Sequence, residues 1–139
     1  MNKKLLIFVP VRNLGHVITE TLNKIPKSFE NKISMILIND NNSENFTKEI
    51  IEKYKQHCAF KILINYFDKN IGFGGSKKNA YLYAIKKKYD YVICLHGDGQ
   101  YPPEKLETMY NYLSINNYEM VQGSRVNYLN GGMPIYKII

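Results

Sequence analysis

Two aspartates occupy positions where a carboxylate could work on a ligand. Asp98 lies in His96-Gly97-Asp98-Gly99-Gln100-Tyr101-Pro102-Pro103-Glu104, just after the apolar run Tyr91–Leu95. Glycines on both sides let a backbone and a ligand approach closely. A carboxylate placed there suits Mg²⁺ or Mn²⁺ bridging phosphate oxygens, although a turn aspartate has the same local sequence. Asp40 lies in Asn39-Asp40-Asn41-Asn42-Ser43, after the apolar run Ile33–Ile38. It could accept the N–H groups of a nucleobase, or serve as a turn or helix-cap residue. A third segment, Asp68-Lys69-Asn70-Ile71-Gly72-Phe73-Gly74-Gly75, precedes a helical pattern. Its Gly72 and Gly74 fit either a tight turn or a phosphate site built from free N–H groups and the helix dipole. Lys77 and Lys78 follow, as phosphate-neutralising or merely solvated cations. The fourth segment is Pro10-Val11-Arg12-Asn13, after the first apolar run. His16, His57 and Cys58 read as structural or exposed. No His/Cys group has zinc spacing, and neither a Walker loop nor a G-x-S-x-G elbow occurs.

The elements that must position these segments follow from the apolar pattern. Strands are expected at residues 5–9, 33–38, 60–66 and 91–95, with a short fifth at Glu119–Gln122. Helices are expected at residues 15–25, closed by Pro26, from Asn42-Ser43 through the apolar positions Phe46, Ile50, Ile51 and Tyr54, from the glycine segment to about Lys88, and from Pro102-Pro103 onward. The order is βαβαβαβαβ. Strands that are apolar throughout and separated by helices indicate a parallel sheet covered on both faces. In such sheets ligands bind at the carboxyl ends of the strands, where strand order reverses. All four polar segments should therefore meet on one edge.

Composition narrows the function classes. The chain of 139 residues suits one domain with its own core. The apolar run from Leu5 to Val11 is too short to span a membrane and lacks a signal-peptide cleavage pattern. Cys58 and Cys94 read as reduced cytosolic thiols. The net charge is +7, but seventeen of the nineteen basic residues are Lys. Base-reading proteins rely on Arg, so nucleic acid is not the expected partner. Lysines fit anionic small ligands or an anionic membrane face as well. A dinucleotide-binding redox domain is disfavoured, because no G-x-G-x-x-G follows the first strand.

Taken together, Val9-Pro10-Val11-Arg12-Asn13, Asp40-Asn41-Asn42-Ser43, Asn70-Ile71-Gly72-Phe73-Gly74-Gly75 and the segment from His96 to Glu104 resemble the family 2 nucleotide-sugar glycosyltransferases. The resemblance is strongest to the dolichyl-phosphate mannose synthase-like branch, and Gly123-Ser124-Arg125 and Gly131-Gly132-Met133-Pro134 look like its continuation. The resemblance implies a GT-A fold, a Rossmann-like three-layer α/β/α arrangement with a mostly parallel sheet. It implies that residues 1–139 are a single donor-binding domain whose acceptor side is incomplete. Pro10, Val11, Arg12 and Asn13 would wall the nucleotide pocket, and Asp40 would meet uracil or guanine. Asn70, Gly72, Gly74, Lys78 and Gly97 would line the donor site, and Gln100 would lie beside the sugar or phosphate. Asp98 would stand as the second Asp of the family's Asp-x-Asp metal motif. His96 replaces the first, as a ligand or as a residue that orients the loop. The implied reaction is inverting transfer of a sugar from a UDP- or GDP-sugar, assisted by Mn²⁺ or Mg²⁺, to a polyprenyl phosphate or a saccharide of cell-envelope glycan. No acceptor-side base is evident. The implied location is the cytoplasm, at the cytoplasmic face of the membrane, with peripheral association.

Overall fold

A computed structural model describes residues 3–123. They form β1 (Leu5–Val11), α1 (Val17–Asn23), α2 (Lys27–Glu30), β2 (Ile33–Asp40), α3 (Thr47–His57), β3 (Ile62–Tyr66), α4 (Gly72–Lys86), β4 (Tyr91–Cys94), a 3-10 turn at Pro103–Lys105 and α5 (Leu106–Ile115). The sheet is wholly parallel in the order β3-β2-β1-β4. The α/β fold with a parallel sheet is thus as expected. The direction of travel reverses between β1 and β4, so the crevice between their carboxyl ends is the topological switch point.

β1 is the centre of the sheet. Leu5, Leu6, Ile7, Phe8 and Val9 are fully buried. Alternation sends Leu6 and Phe8 to one face, where they pack with Leu37 of β2 and Ala80 and Ala84 of α4. Leu5, Ile7 and Val9 face the other way, toward the layer that contains Ile18 of α1. Small residues on the inner side of α4 let that helix approach the sheet closely.

The strand continues two residues past Val9, where a loop was expected. Phe8 C=O accepts from Leu95 N–H on the β4 side, and Val11 C=O accepts from Asn41 N–H on the β2 side. Pro10 shares the parity of Phe8, so its nitrogen faces β4. The β1–β4 ladder has ended by then, at Phe8 opposite Cys94. With no N–H to donate to Leu95 C=O, the proline cannot continue that ladder, while pairing with β2 goes on past it.

Other boundaries shift for similar reasons. β2 runs on to Asp40, because Asn39 and Asp40 pair with Pro10 and Val11 on one side and with Asn65 and Tyr66 on the other. β3 starts at Ile62 rather than Phe60. α1 is shorter than the expected helix, and Pro26 opens the unanticipated turn α2, which buries Phe29. Gly72–Gly75 is not a loop before α4 but its first turn.

The expected fifth strand at Glu119–Gln122 is absent: residues 116–123 are irregular. After α5 the chain turns at Asn117 (φ 52°), and Met120 is 78% exposed. Two apolar residues between Glu119 and Gln122 give too little surface to bury, and among the described residues no ladder partner supplies the backbone bonds a strand needs. The chain divides into two compact units between Glu107 and Thr108. The first holds the sheet and all four polar segments. The second begins with the body of α5, and within it Met109 lies against Gly123. The segments 124–125 and 131–134 lie outside the described residues. Among those residues no helix is long and apolar enough to cross a membrane.

Candidate donor-binding site

Because the strands are parallel, their following segments emerge on one edge. The segments after β1 and β2 are tied together backbone to side chain. Asn13 N–H donates to Ser43 Oγ (2.9 Å), and Asn13 Oδ1 accepts from Glu44 N–H (2.8 Å). Gly15 N–H donates to Thr47 Oγ1 (2.8 Å). Asn13 and Asn42 adopt left-handed backbone (φ 55° and 61°), which Asn tolerates better than most residues. Arg12 reaches Glu44 Oε1 across this corner at 3.2 Å, in the open. Pro10 is half-buried, whereas Val11 is buried.

Asp40 closes this corner from beneath. It is fully buried at the end of β2, not on an exposed loop. Its Oδ1 accepts from Ser43 N–H at 2.8 Å. Its Oδ2 is buried and has no hydrogen-bond partner among the described residues. A buried acceptor left unpaired costs about 1–3 kcal/mol, more when charged. Asp40 Oδ2 is thus a buried acceptor left over at this edge of the sheet.

The segment after β3 is fixed by two asparagines, the expected Asn70 and Asn41, to which the sequence assigns no role. Asn41 Nδ2 donates to Asn70 Oδ1 (2.6 Å), while Asn41 Oδ1 accepts from Ile71 N–H (2.8 Å). Asn70 Oδ1 also accepts from Gly72 N–H (2.9 Å). Helix geometry then leaves the amides of Phe73 and Gly74 without an intrahelical acceptor. Gly72 has φ +72°, and a Cβ added at Gly72 or Gly74 would meet nothing within 4 Å. The open space over this turn suits a phosphate. Below it, Asn39, Asn65 and Asn79 form a buried network: Asn39 Nδ2 donates to Ser76 C=O (2.9 Å), and Asn65 Nδ2 donates to Asn39 Oδ1 (2.9 Å). A run of Asn in strands was the available signal, because buried amides must find partners.

The segment after β4 is held differently. Gly97 is packed so tightly that a Cβ would lie 2.9 Å from Ile18 Cδ1 and Leu14 Cδ1. Its carbonyl accepts from Thr21 Oγ1 (3.1 Å). Asp98 is half-buried, and its Oδ1 accepts from Gln100 N–H (3.1 Å). Gly99 supplies the positive φ (+73°) of this turn, and Gln100 is exposed. The His96 ring lies between Phe73 of α4 (5.1 Å between centroids) and Tyr101 (4.7 Å). That contact joins the first turn of α4 to the Asp98 turn. Lys77 rather than Lys78 leans toward this group, with its Nζ 5.6 Å from the Phe73 ring centre. Lys78 is exposed on the opposite side of the helix. Burial pushes the neighbouring Cys94 thiol up to about 11, with the Lys77 charge pulling the other way.

Among the described residues no three His, Cys, Asp or Glu side chains converge as a metal cage. The donor set still fits a hard cation in one form. Mg²⁺ or Mn²⁺ commonly takes one carboxylate from the protein and completes its shell with substrate phosphates and water. Asp98, with one carboxylate oxygen already engaged, fits that role. A cavity of about 290 Å³ lies elsewhere, between α1, α2, α3 and the start of β3, lined by Asn23, Tyr54 and Cys58 among others. None of the four polar segments lines it.

Comparison with known proteins decides the family. The family model described as "Glycosyl transferase family 2" matches residues 6–138. The chain belongs to glycosyl transferase family 2. It is 32% identical over 126 residues to the poly(ribitol-phosphate) beta-N-acetylglucosaminyltransferase TarP of Staphylococcus aureus, covering 87% of this chain and 36% of that protein. The fold matches the mannosyltransferase PcManGT from Pyrobaculum calidifontis, solved with GDP-Man and Mn²⁺ (TM-score 0.71, 16% identity, 94% of this chain and 39% of that one). It also matches S. aureus TarS 1–349 solved with UDP-GlcNAc (TM-score 0.58, 22% identity, 89% and 38%). These neighbours bear out the GT-A fold. The chain spans little more than a third of the length of each of these three proteins.

Proposed function

We propose that residues 1–139 form the donor-binding part of an inverting glycosyltransferase that takes its sugar from a UDP- or GDP-sugar. The observation that carries this reading is the buried, unpartnered Oδ2 of Asp40 at the ligand-binding edge of the sheet. Uracil N3–H and guanine N1–H are donors that such an oxygen accepts; cytosine sets an acceptor at N3 beside its one exocyclic N4 donor and would fit less well. Pro10, Arg12 and Asn13 flank the base. The first turn of α4, with Asn70, Gly72 and Gly74, receives phosphate oxygens through its amides and helix dipole. Lys77, in place of the expected Lys78, adds positive charge, while Gly97 and Gln100 border the diphosphate and sugar. A divalent cation on Asp98, with His96 orienting that turn, would offset the charge that gathers on the diphosphate as the glycosidic bond breaks.

The acceptor oxygen attacks the anomeric carbon from the side opposite the diphosphate, forming one C–O bond as the other breaks and inverting the centre. A phosphate acceptor such as a polyprenyl phosphate is already anionic and needs no base. A saccharide or polyol hydroxyl needs one, and the likeness to TarP favours an acceptor of that kind in cell-envelope glycan. The signature from His96 to Glu104 supports the dolichyl-phosphate mannose synthase-like branch for the donor side. The base, where one is needed, would come from further chain or a partner, which would make the present chain a nucleotide-sugar-binding fragment by itself. A thermal-shift series with UDP, GDP, CDP and the corresponding sugars, with and without Mn²⁺, tests the reading. Stabilisation by UDP or GDP but not CDP, enhanced by Mn²⁺, is expected. Ligand at a hundred times its Kd stabilises by about 2.7 kcal/mol. Equal response to CDP, or none to any nucleotide, overturns it.

A further inference from the structure

Helix α4 carries two apolar faces. Ser76, Ala80 and Ala84 are buried on the inner one. On the outer one Lys78, Tyr81, Leu82 and Ile85 recur at the spacing i, i+3, i+4, i+7 that lines one side of a helix. Tyr81, Leu82 and Ile85 are 41%, 57% and 73% exposed. Packing against the sheet accounts for the inner stripe and leaves the outer stripe in water, the condition that marks an interaction surface.

The charge around the stripe says what covers it. From Lys69 to Tyr89 there are six lysines and no Asp or Glu. Lys78 sits in the stripe, and Lys86, Lys87 and Lys88 are all exposed at its end. A second copy of the same face would bring like charges together with no acid in the stretch to offset them. A plain polyanion would leave Leu82 and Ile85 wet. An anionic bilayer satisfies both features. Its acyl boundary takes the apolar side chains, its headgroups take the ammonium groups, and the amphipathic ring of Tyr81 suits the interface between them. We infer that the outer face of α4 docks on an anionic phospholipid surface. The inference rests on this face alone, not on the reading of the donor site.

Three apolar side chains bind a bilayer weakly, so the lysines are required as a second attachment. The test is sedimentation of the full chain with vesicles of phosphatidylcholine alone and with about a third phosphatidylglycerol. The wild type is expected to bind only the phosphatidylglycerol vesicles and to be released by salt. Leu82→Ser with Ile85→Ser should lower partitioning by about ten-fold or more. Lys86→Gln with Lys87→Gln and Lys88→Gln should abolish it at moderate salt. All these side chains are exposed, so both variants should keep the wild-type circular dichroism and nucleotide thermal shift, which separates this result from any failure of the donor reading. Three outcomes overturn the inference: no binding of the wild type to anionic vesicles, wild-type binding by both variants, or a lipid-free dimer in light scattering that the serine variant dissolves.

Discussion

The corner between the β1 and β2 segments and the turn after β4 do different work with different means. In the corner, Asn13, Gly15, Ser43, Thr47 and Asp40 exchange directional bonds, and Asn41 extends them to α4. The turn after β4 is held mainly by close packing at Gly97 and tilted ring contacts around His96, beside the Thr21 hydroxyl bond to Gly97 C=O and the Gln100 N–H bond to Asp98. The first region is preorganised around an unsatisfied acceptor. The second presents a partly exposed carboxylate with one oxygen bonded to Gln100 N–H. On the proposed function, an edge so divided would recognise one end of its ligand by a fixed shape and the other by charge.

Asp98→Ala is the sharpest test of that division. It should lower Mn²⁺-dependent affinity for UDP or GDP by several kcal/mol, roughly a hundred-fold or more, while the melting temperature stays nearly constant. Titration calorimetry with and without Mn²⁺ reads this directly, and unchanged affinity breaks the assignment. Asp40→Asn should cost about 1.5–3 kcal/mol of nucleotide affinity, since the amide that replaces Oδ2 offers donors where an acceptor is needed. Its folding stability should change little, because the amide oxygen still accepts from Ser43 N–H. A large loss of stability in urea would make Asp40 a structural cap instead. Asn41→Ala should cost about 1–3 kcal/mol of stability, since it strips two partners from the start of α4; a neutral result would mean that the corner is not the rigid half.

Two smaller effects refine the picture. The Cys94 thiol is raised by burial from its ordinary 9.0 to about 11. Alkylation at pH 9 should therefore be slow in the folded protein and fast once it is unfolded. The unfolded chain ionises this thiol first, so stability should be intact below pH 9 and fall as pH rises from there through about 11. Mass spectrometry of the alkylated peptide and urea melts at the two pH values check this; rapid labelling at pH 9 in the native protein contradicts it. Arg12→Ala removes an exposed ion pair with Glu44 and should change stability by less than about 0.5 kcal/mol. A larger change in nucleotide affinity than in stability would place Arg12 at the ligand.

Much of this was legible in the residues. The four main strands, their parallel pairing and the common edge of the polar segments follow from apolar runs interrupted at regular intervals. Where the pattern failed, a local rule met a tertiary one. A proline usually ends a strand, but Pro10 turns its nitrogen toward β4 and stops only that ladder, while the ladder to β2 continues. Polar Asn39 and Asp40 read as loop, yet ladder bonds on both sides and the Asn65 amide hold them inside the sheet. Glycines suggested a loop at 72–75, but two asparagine side chains hold the turn that starts the helix there. The fifth strand was read from too few apolar residues. Asn41 and Asn79 take no role from the sequence, because an asparagine alone carries no sign of the partner that will orient it. The leaning of Lys77 and the exposure of Lys78 depend on helix rotation that adjacent lysines do not reveal.

The position of β1 has a consequence for how the chain reaches this state. Its amino end is bonded to Asp90 through Lys4 in both directions, and its second ladder belongs to β4, more than eighty residues later. The most apolar strand is thus made first and completed last. β2 can pair with it early, but its other edge stays open until Tyr91–Cys94 arrives. Closing so long a span slows folding, and an open apolar edge invites association with other chains meanwhile. The binding edge is also assembled at that late step, because the Asp98 turn reaches its place only when β4 docks. A nascent chain ending before Tyr91 has neither the completed sheet nor the crevice, so the edge proposed to bind is complete only when the apolar edge of β1 is covered.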